Sequence, residues 1–251
     1  MPDHTKNYGR LPSVLTRLHR WLGLLVVAQL LLWVMSGVFM SWFHLSLVRG
    51  ETHAALILPI ELTAQSFVAP GGIIAQNPGT EKIELGRFGT RAVYRTYGND
   101  TENLYDALTG EKLSPLKEDA ARIVANTDYA GEALIDHARL LTKTPSEFRG
   151  ATPVWQIQYK DRLQTRLYIS PHHGTILARR NKIWRIYDFF WMLHIMDYDE
   201  RENFNNPLVK AFSLSAFLFV LSGLVLIVLR LKTGIFQKDI AATLKNIRKN
   251  K

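Results

Sequence analysis

The chain has 251 residues, 47% of them hydrophobic, and a net charge of +9 that sits at its two ends. Residues 1–20 carry four Lys/Arg against Asp3, residues 230–251 carry seven against Asp239, and residues 45–209 balance 19 basic side chains with 20 acidic ones. A basic excess beside apolar runs reads as membrane topology, so nucleic acid is set aside as a partner; the absence of cysteine excludes disulfides, thiolate catalysis, iron–sulfur clusters and covalent c-type haem.

In chain order, residues 1–16 form a short polar tail. Residues 17–44, RLHRWLGLLVVAQLLLWVMSGVFMSWFH, predict the first transmembrane helix. From Trp21 to Phe43 there is no charge, and Gln29 is the one strongly polar side chain. Those residues span about 35 Å as a helix, enough for a hydrocarbon core of about 30 Å. The run is too long for the core of a signal peptide, so it is expected to stay as an anchor. Stepping by four and three places His19, Gly23, Val26, Leu30, Trp33, Gly37, Met40 and His44 on one helix face. Two histidines thus bracket the span, with small residues between them that let another helix approach.

Residues 45–182 are long enough to bury a core of their own. AVYRTY at 92–97 and VWQIQY at 154–159 alternate like strands, and each leads through a polar turn to a second strand. LYDALTGEKL at 104–113 resembles LYISPHHGTIL at 167–177, with Gly110 and Gly174 where a tight turn wants a positive φ. Residues 116–126 and 129–141 read as amphipathic helices. The expectation is an exported α+β domain of two related halves, near 80–125 and 129–180.

Residues 183–208 hold an aromatic segment, IWRIYDFFWMLHIMDY, with His194 embedded in it, followed by a polar linker. Aromatic crowding of this kind suits a membrane interface. Residues 209–230 predict the second transmembrane helix, and 231–251 a basic tail. Both spans contain a Ser-Gly pair, Ser36-Gly37 and Ser222-Gly223. The Lys/Arg asymmetry puts both tails in the cytoplasm and the central domain outside.

LHRWLG at 18–23, the paired glycine-ended hairpins, and WMLHIMDY at 191–198 resemble the PepSY-associated transmembrane helix proteins, over nearly the whole chain beyond residue 15. Larger members of that family have four spans and two exported modules, and some are siderophore-linked ferric reductases of the bacterial inner membrane that carry b-type haem. The resemblance implies the same localisation, a periplasmic central domain, and ferric iron or ferric-siderophore as the acceptor. Two spans in place of four leave a homodimer as one way to rebuild the four-helix set.

Three of the eight histidines, His19, His44 and His194, lie at predicted membrane boundaries. Neutral imidazole is a common axial ligand, and without cysteine only non-covalent haem b fits. His44 and His194 are both expected near the outer surface and form the expected axial pair, with Trp191 and Phe190 as apolar walls. His19 has no histidine partner at the inner surface, and a second subunit would supply one. His4, His53, His137, His172 and His173 read as ordinary surface or turn residues. No nucleophile–base set, phosphate loop or HExxH motif is present. The tails, about 20 residues each, are too short for a flavin or nicotinamide domain, so electrons are expected from membrane quinol or a donor protein. A second class of function shares this topology: a membrane-anchored PepSY binding or regulatory module with no redox role.

Overall fold

The structure is a computed structural model that describes residues 10–56, 67–98 and 102–232. His4 and the basic tail beyond Lys232 lie outside the described residues. The chain divides into two units, one formed by the residues up to Trp42 with those from Asp188 onward, the other by Phe43–Tyr187.

The first unit is built on two long helices, α1 (Arg10–Trp42) and α6 (Pro207–Lys232). At 33 and 26 residues they are about 50 and 39 Å long, and both are apolar enough to cross a membrane. They pack antiparallel: Trp33 meets Phe212 edge to face at 5.0 Å, and further along Gly23 meets Phe219. Pro207 opens α6 at its first position, where no N–H is needed. Asn206 caps it by accepting the Val209 N–H, while its amide donates to the carbonyls of Ile195 and Asn203. Gln29, alone among apolar neighbours, donates to the Leu193 carbonyl at 3.2 Å. That bond satisfies a helix-terminal carbonyl. Val26 and Ser36 are fully buried, whereas Leu24, Leu25, Leu31, Phe217 and Ile227 face outward, as lipid-facing residues do.

Helix α1 begins earlier than the sequence suggested and ends at Trp42, two residues short of His44. His44 has an extended backbone (φ −61°, ψ 135°) and starts the short helix α2 (Leu45–Val48), so the histidine-bearing stripe stops before it.

The second unit continues through a 3-10 turn (Glu51–His53) to α3 (Pro70–Gln76), β1 (Thr80–Phe88), β2 (Arg91–Gly98) and β3 (Glu102–Asp106). After these come α4 (Glu118–Asp128), β4 (Ile135–Leu141), β5 (Val154–Tyr159), β6 (Arg166–Ile169) and β7 (Ile176–Arg180). The strands form two antiparallel sheets, β1-β2-β3 and β4-β5-β6-β7. Each half is thus a helix followed by a meander of strands. The expected halves therefore shift: a helix precedes each sheet, and residues 129–141 supply β4 rather than a helix. Their apolar spacing is compatible with a helix, but pairing with β5 from Ile135 to Leu141 decides the outcome. His137 accordingly lies on a strand.

Strand parity explains why the sheets are buried on both faces. In β2 and β3, Ala92, Tyr94 and Tyr105 pack on Ile73 of α3. Their neighbours Val93 and Leu104 turn to the shared core with α4 and Trp155, Ile157, Tyr159, Leu167 and Ile169 of the second sheet. On the far side Val154 and Tyr168 pack on Phe148. Helix α4 presents Ala121, Val124, Ala125 and Asp128 inward, a single helical stripe. The buried Asp128 is held by both Nε and Nη2 of Arg179. Burying an Ile157 or Leu167 completely stabilises the unit by roughly 1.5–3 kcal/mol each. Helix α5 (Lys182–Ile195) follows β7, and its last residues belong to the first unit.

Candidate functional site

Two histidines lie inside the unit formed by the long helices, and each is seated the same way. His194, in the last turn of α5, has its Nδ1 3.0 Å from Oγ of Ser36 on α1. His19, on α1, has its Nδ1 2.9 Å from Oγ of Ser222 on α6. Glycine follows the serine in both cases, and the ring lies over it. A Cβ on Gly37 would stand 3.9 Å from Cε1 of His194, and one on Gly223 3.0 Å from Cε1 of His19. The His19 ring also stacks on Phe219 at 4.3 Å and 10°. Ser36 lies seventeen positions beyond His19 on the helix, so the two seats are about 25 Å apart along α1. Ser36 itself lies six residues, about 9 Å, inside the end of α1.

Around His194 the setting is aromatic. Trp33 tilts toward it with ring centroids 6.1 Å apart, and the Trp33 indole N–H is buried with no partner among the described residues. One turn back on α5, Phe190 stacks on Phe39 of α1 at 4.2 Å. Trp191 donates its indole N–H to the Arg201 carbonyl at 3.1 Å and meets Phe204 edge to face, so it anchors the connector to α6. That connector is also held by an ion pair between Arg201 and the buried Asp188 at 2.5 Å.

Gly23 and Gly37, expected to let another helix approach, face Phe219 and His194 of the same chain. His44 is exposed and belongs to the other unit, as the cap of α2. Among the described residues no three His, Asp or Glu side chains gather closely enough to hold a bare metal ion. The family model for the PepSY-associated TM region matches residues 16–251, through both long helices and everything between them.

The chain belongs to the PepSY-associated TM family. No curated protein and no solved structure matches it. As a member of that family it is a membrane protein, with lipid against the outer faces of α1 and α6.

The remaining described histidines of this PepSY-associated chain lie in the central unit. His137 sits on β4 beside Asp136 at 3.1 Å, and His53 lies against Tyr129. His173 departs from the expected turn surface. It is buried, its ring tilted against Tyr97 at 4.5 Å, and 3.5 Å from Glu102, where the loop after β6 docks on the first sheet. Burial holds its pKa below the usual histidine value, the Glu102 carboxylate works against this, and Arg95 and His172 add to it.

What the sequence did not reveal is the role of the serines. Ser36 and Ser222 stood out only as small residues beside glycine. The signal was present in the repeated Ser-Gly pair, but which histidine each would meet depended on how the helices came together.

Proposed function

We propose that this chain is an inner-membrane electron-transfer protein that holds b-type haem between its helices and reduces ferric iron or ferric-siderophore at the periplasmic face. The observation that carries this reading is the pair of imidazoles inside the lipid-crossing unit, about 25 Å apart along α1, each lodged over a glycine. Ionisable side chains at such depth are costly to place there without a use.

The residues present fit haem. His194 and His19 would each offer an axial nitrogen, Trp33 and Phe190 would line the outer level, and Phe219 the inner one. The buried indole N–H of Trp33, without a partner among the described residues, would donate to an acceptor beside His194. Bound haem would supply a reversible one-electron iron couple at each level. The protein's own work would be to hold the imidazoles, exclude water and fix the spacing of the two levels. Membrane quinol or a donor protein would supply the electrons. A single copy would offer one imidazole at each level, and a homodimer would bring a second to each.

The test is the absorption spectrum of protein purified in detergent from haem-replete cells. A Soret band that moves on dithionite reduction is the expected result, with a spin state that reports the number of axial imidazoles. Protein without any Soret absorbance would falsify the reading, and a membrane-anchored PepSY binding module would take its place.

A further inference from the structure

We infer that Ser36 and Ser222 are positioning residues that set the tautomers of His194 and His19, so that each imidazole presents an unprotonated Nε2. The inference rests on the proposed function for its purpose, but the protonation pattern is a property of the haem-free chain. A serine hydroxyl has one proton to give. Ser36 gives it to the Trp33 carbonyl at 3.0 Å, and Ser222 gives it to the Phe219 carbonyl at 2.7 Å. Each Oγ can then only accept from the imidazole nitrogen that lies 3.0 or 2.9 Å away. The ring proton therefore resides on Nδ1, and the lone pair on Nε2. That is the state in which a histidine binds a metal, its other nitrogen donating to a fixed neighbour.

The device occurs twice on different elements. A serine of α1 holds a histidine of α5, and a serine of α6 holds a histidine of α1. Both serines are buried, and the glycine after each leaves space for the ring. A hydroxyl that merely bonded back to its own helix would need neither the histidine nor the glycine.

The test uses the full chain, haem-free in detergent, with 15N-labelled histidine and resonances assigned through His19→Gln and His194→Gln. Both rings should show a protonated Nδ1 and a lone-pair Nε2. Ser36→Ala should move the tautomer ratio of His194 toward Nε2–H by about two- to twelve-fold, the weight of one net hydrogen bond, and leave His19 unchanged. Ser222→Ala should act on His19 alone. Ser222→Thr keeps the hydroxyl and should keep the wild-type pattern, which a purely packing role would not predict for the larger side chain. An Nε2–H tautomer at either wild-type ring, or a ratio that neither alanine variant moves, overturns the inference. Should the tautomers be as stated in protein that takes up no haem, the proposed function fails while the positioning role stands. If haem binds and the tautomers do not match, the reverse holds.

Discussion

Asp106 and Ser170, 64 positions apart, cap two turns of the same kind. The Asp106 carboxylate accepts the N–H groups of Leu108 and Thr109, and the Ser170 hydroxyl accepts those of His172 and His173. Main-chain bonds repeat the pattern: Asp106 N–H to Glu111 and Gly110 N–H to Asp106 in one half, Ser170 N–H to Thr175 and Gly174 N–H to Ser170 in the other. Gly110 (φ 76°) and Gly174 (φ 64°) close the two loops. The central unit is thus built from two copies of one strand–turn motif, which differ in what each turn packs against.

That difference predicts unequal costs. Gly110→Ala should lose about 1–2 kcal/mol from the positive φ alone, because its Cβ would sit 3.6 Å from Val68. In Gly174→Ala the Cβ would lie 2.7 Å from the Phe88 ring, adding roughly 1–3 kcal/mol of overpacking. Chemical denaturation of the two variants should rank them in that order. Equal losses would mean the second turn is not tightly docked on the first sheet.

Glu147 is buried, and its carboxylate takes hydrogen bonds from Arg166 and Tyr168 on β6 and from Arg185 on α5. Burial alone would raise its pKa, but those bonds outweigh it and hold the group below its ordinary 4.5. Its contribution to stability is therefore present above pH 4.5 and lost as pH falls through the lowered value. Glu147→Gln should cost roughly 3 kcal/mol at neutral pH, toward the low end because the arginines are 25–30% exposed. The variant should also flatten the acid limb of a stability–pH curve. A wild-type curve and a variant curve that fall in parallel would refute this.

His173 predicts a second, higher pH window. A histidine whose folded pKa is depressed by burial favours the folded chain above its ordinary 6.5, and that benefit is lost as pH drops through the folded value. Melting temperature should begin to decline below pH 6.5, and His173→Gln should remove that part of the decline. The same slope in the variant would assign it to other groups.

In the helical unit, Gly223→Ala should press on His19, since the new Cβ lies 3.0 Å from the ring, and Gly23→Ala should press on Phe219 at 2.9 Å. Gly37→Ala makes an ordinary 3.9 Å contact with His194 and should be tolerated. Thermal stability in detergent is expected to fall for the first two and to hold for the third. A destabilised Gly37→Ala would show that His194 sits closer to α1 than described.

The proposed haem role predicts different spectra for different histidines. His194→Ala should remove or alter the Soret signal of one haem, and His19→Ala that of the other, each leaving its counterpart in place. His172→Ala, half-buried in a turn of the central unit, should change nothing. Loss of both signals from one substitution would contradict two separate levels.

Two spanning helices, an α+β domain between them and a duplicated hairpin were all legible in the sequence, because each rests on local chemistry. Charge-free runs of membrane length, alternating strands such as 92–97 and 154–159, and glycines at αL positions declare themselves within a few residues. Residues 135–141 were not legible in this way, since their spacing suited either structure and only pairing with β5 made them a strand. The histidine stripe of α1 was half right for a similar reason. His19 is on the helix, but the chain turns extended before His44, and no periodicity marks where a helix will stop. Above all, the partners of His19 and His194 lie 203 and 158 positions away, on helices whose register is set by packing. Local propensity determined which segments became helices and strands; only the antiparallel docking of α1 on α6, with α5 against α1, decided which serine each imidazole would meet.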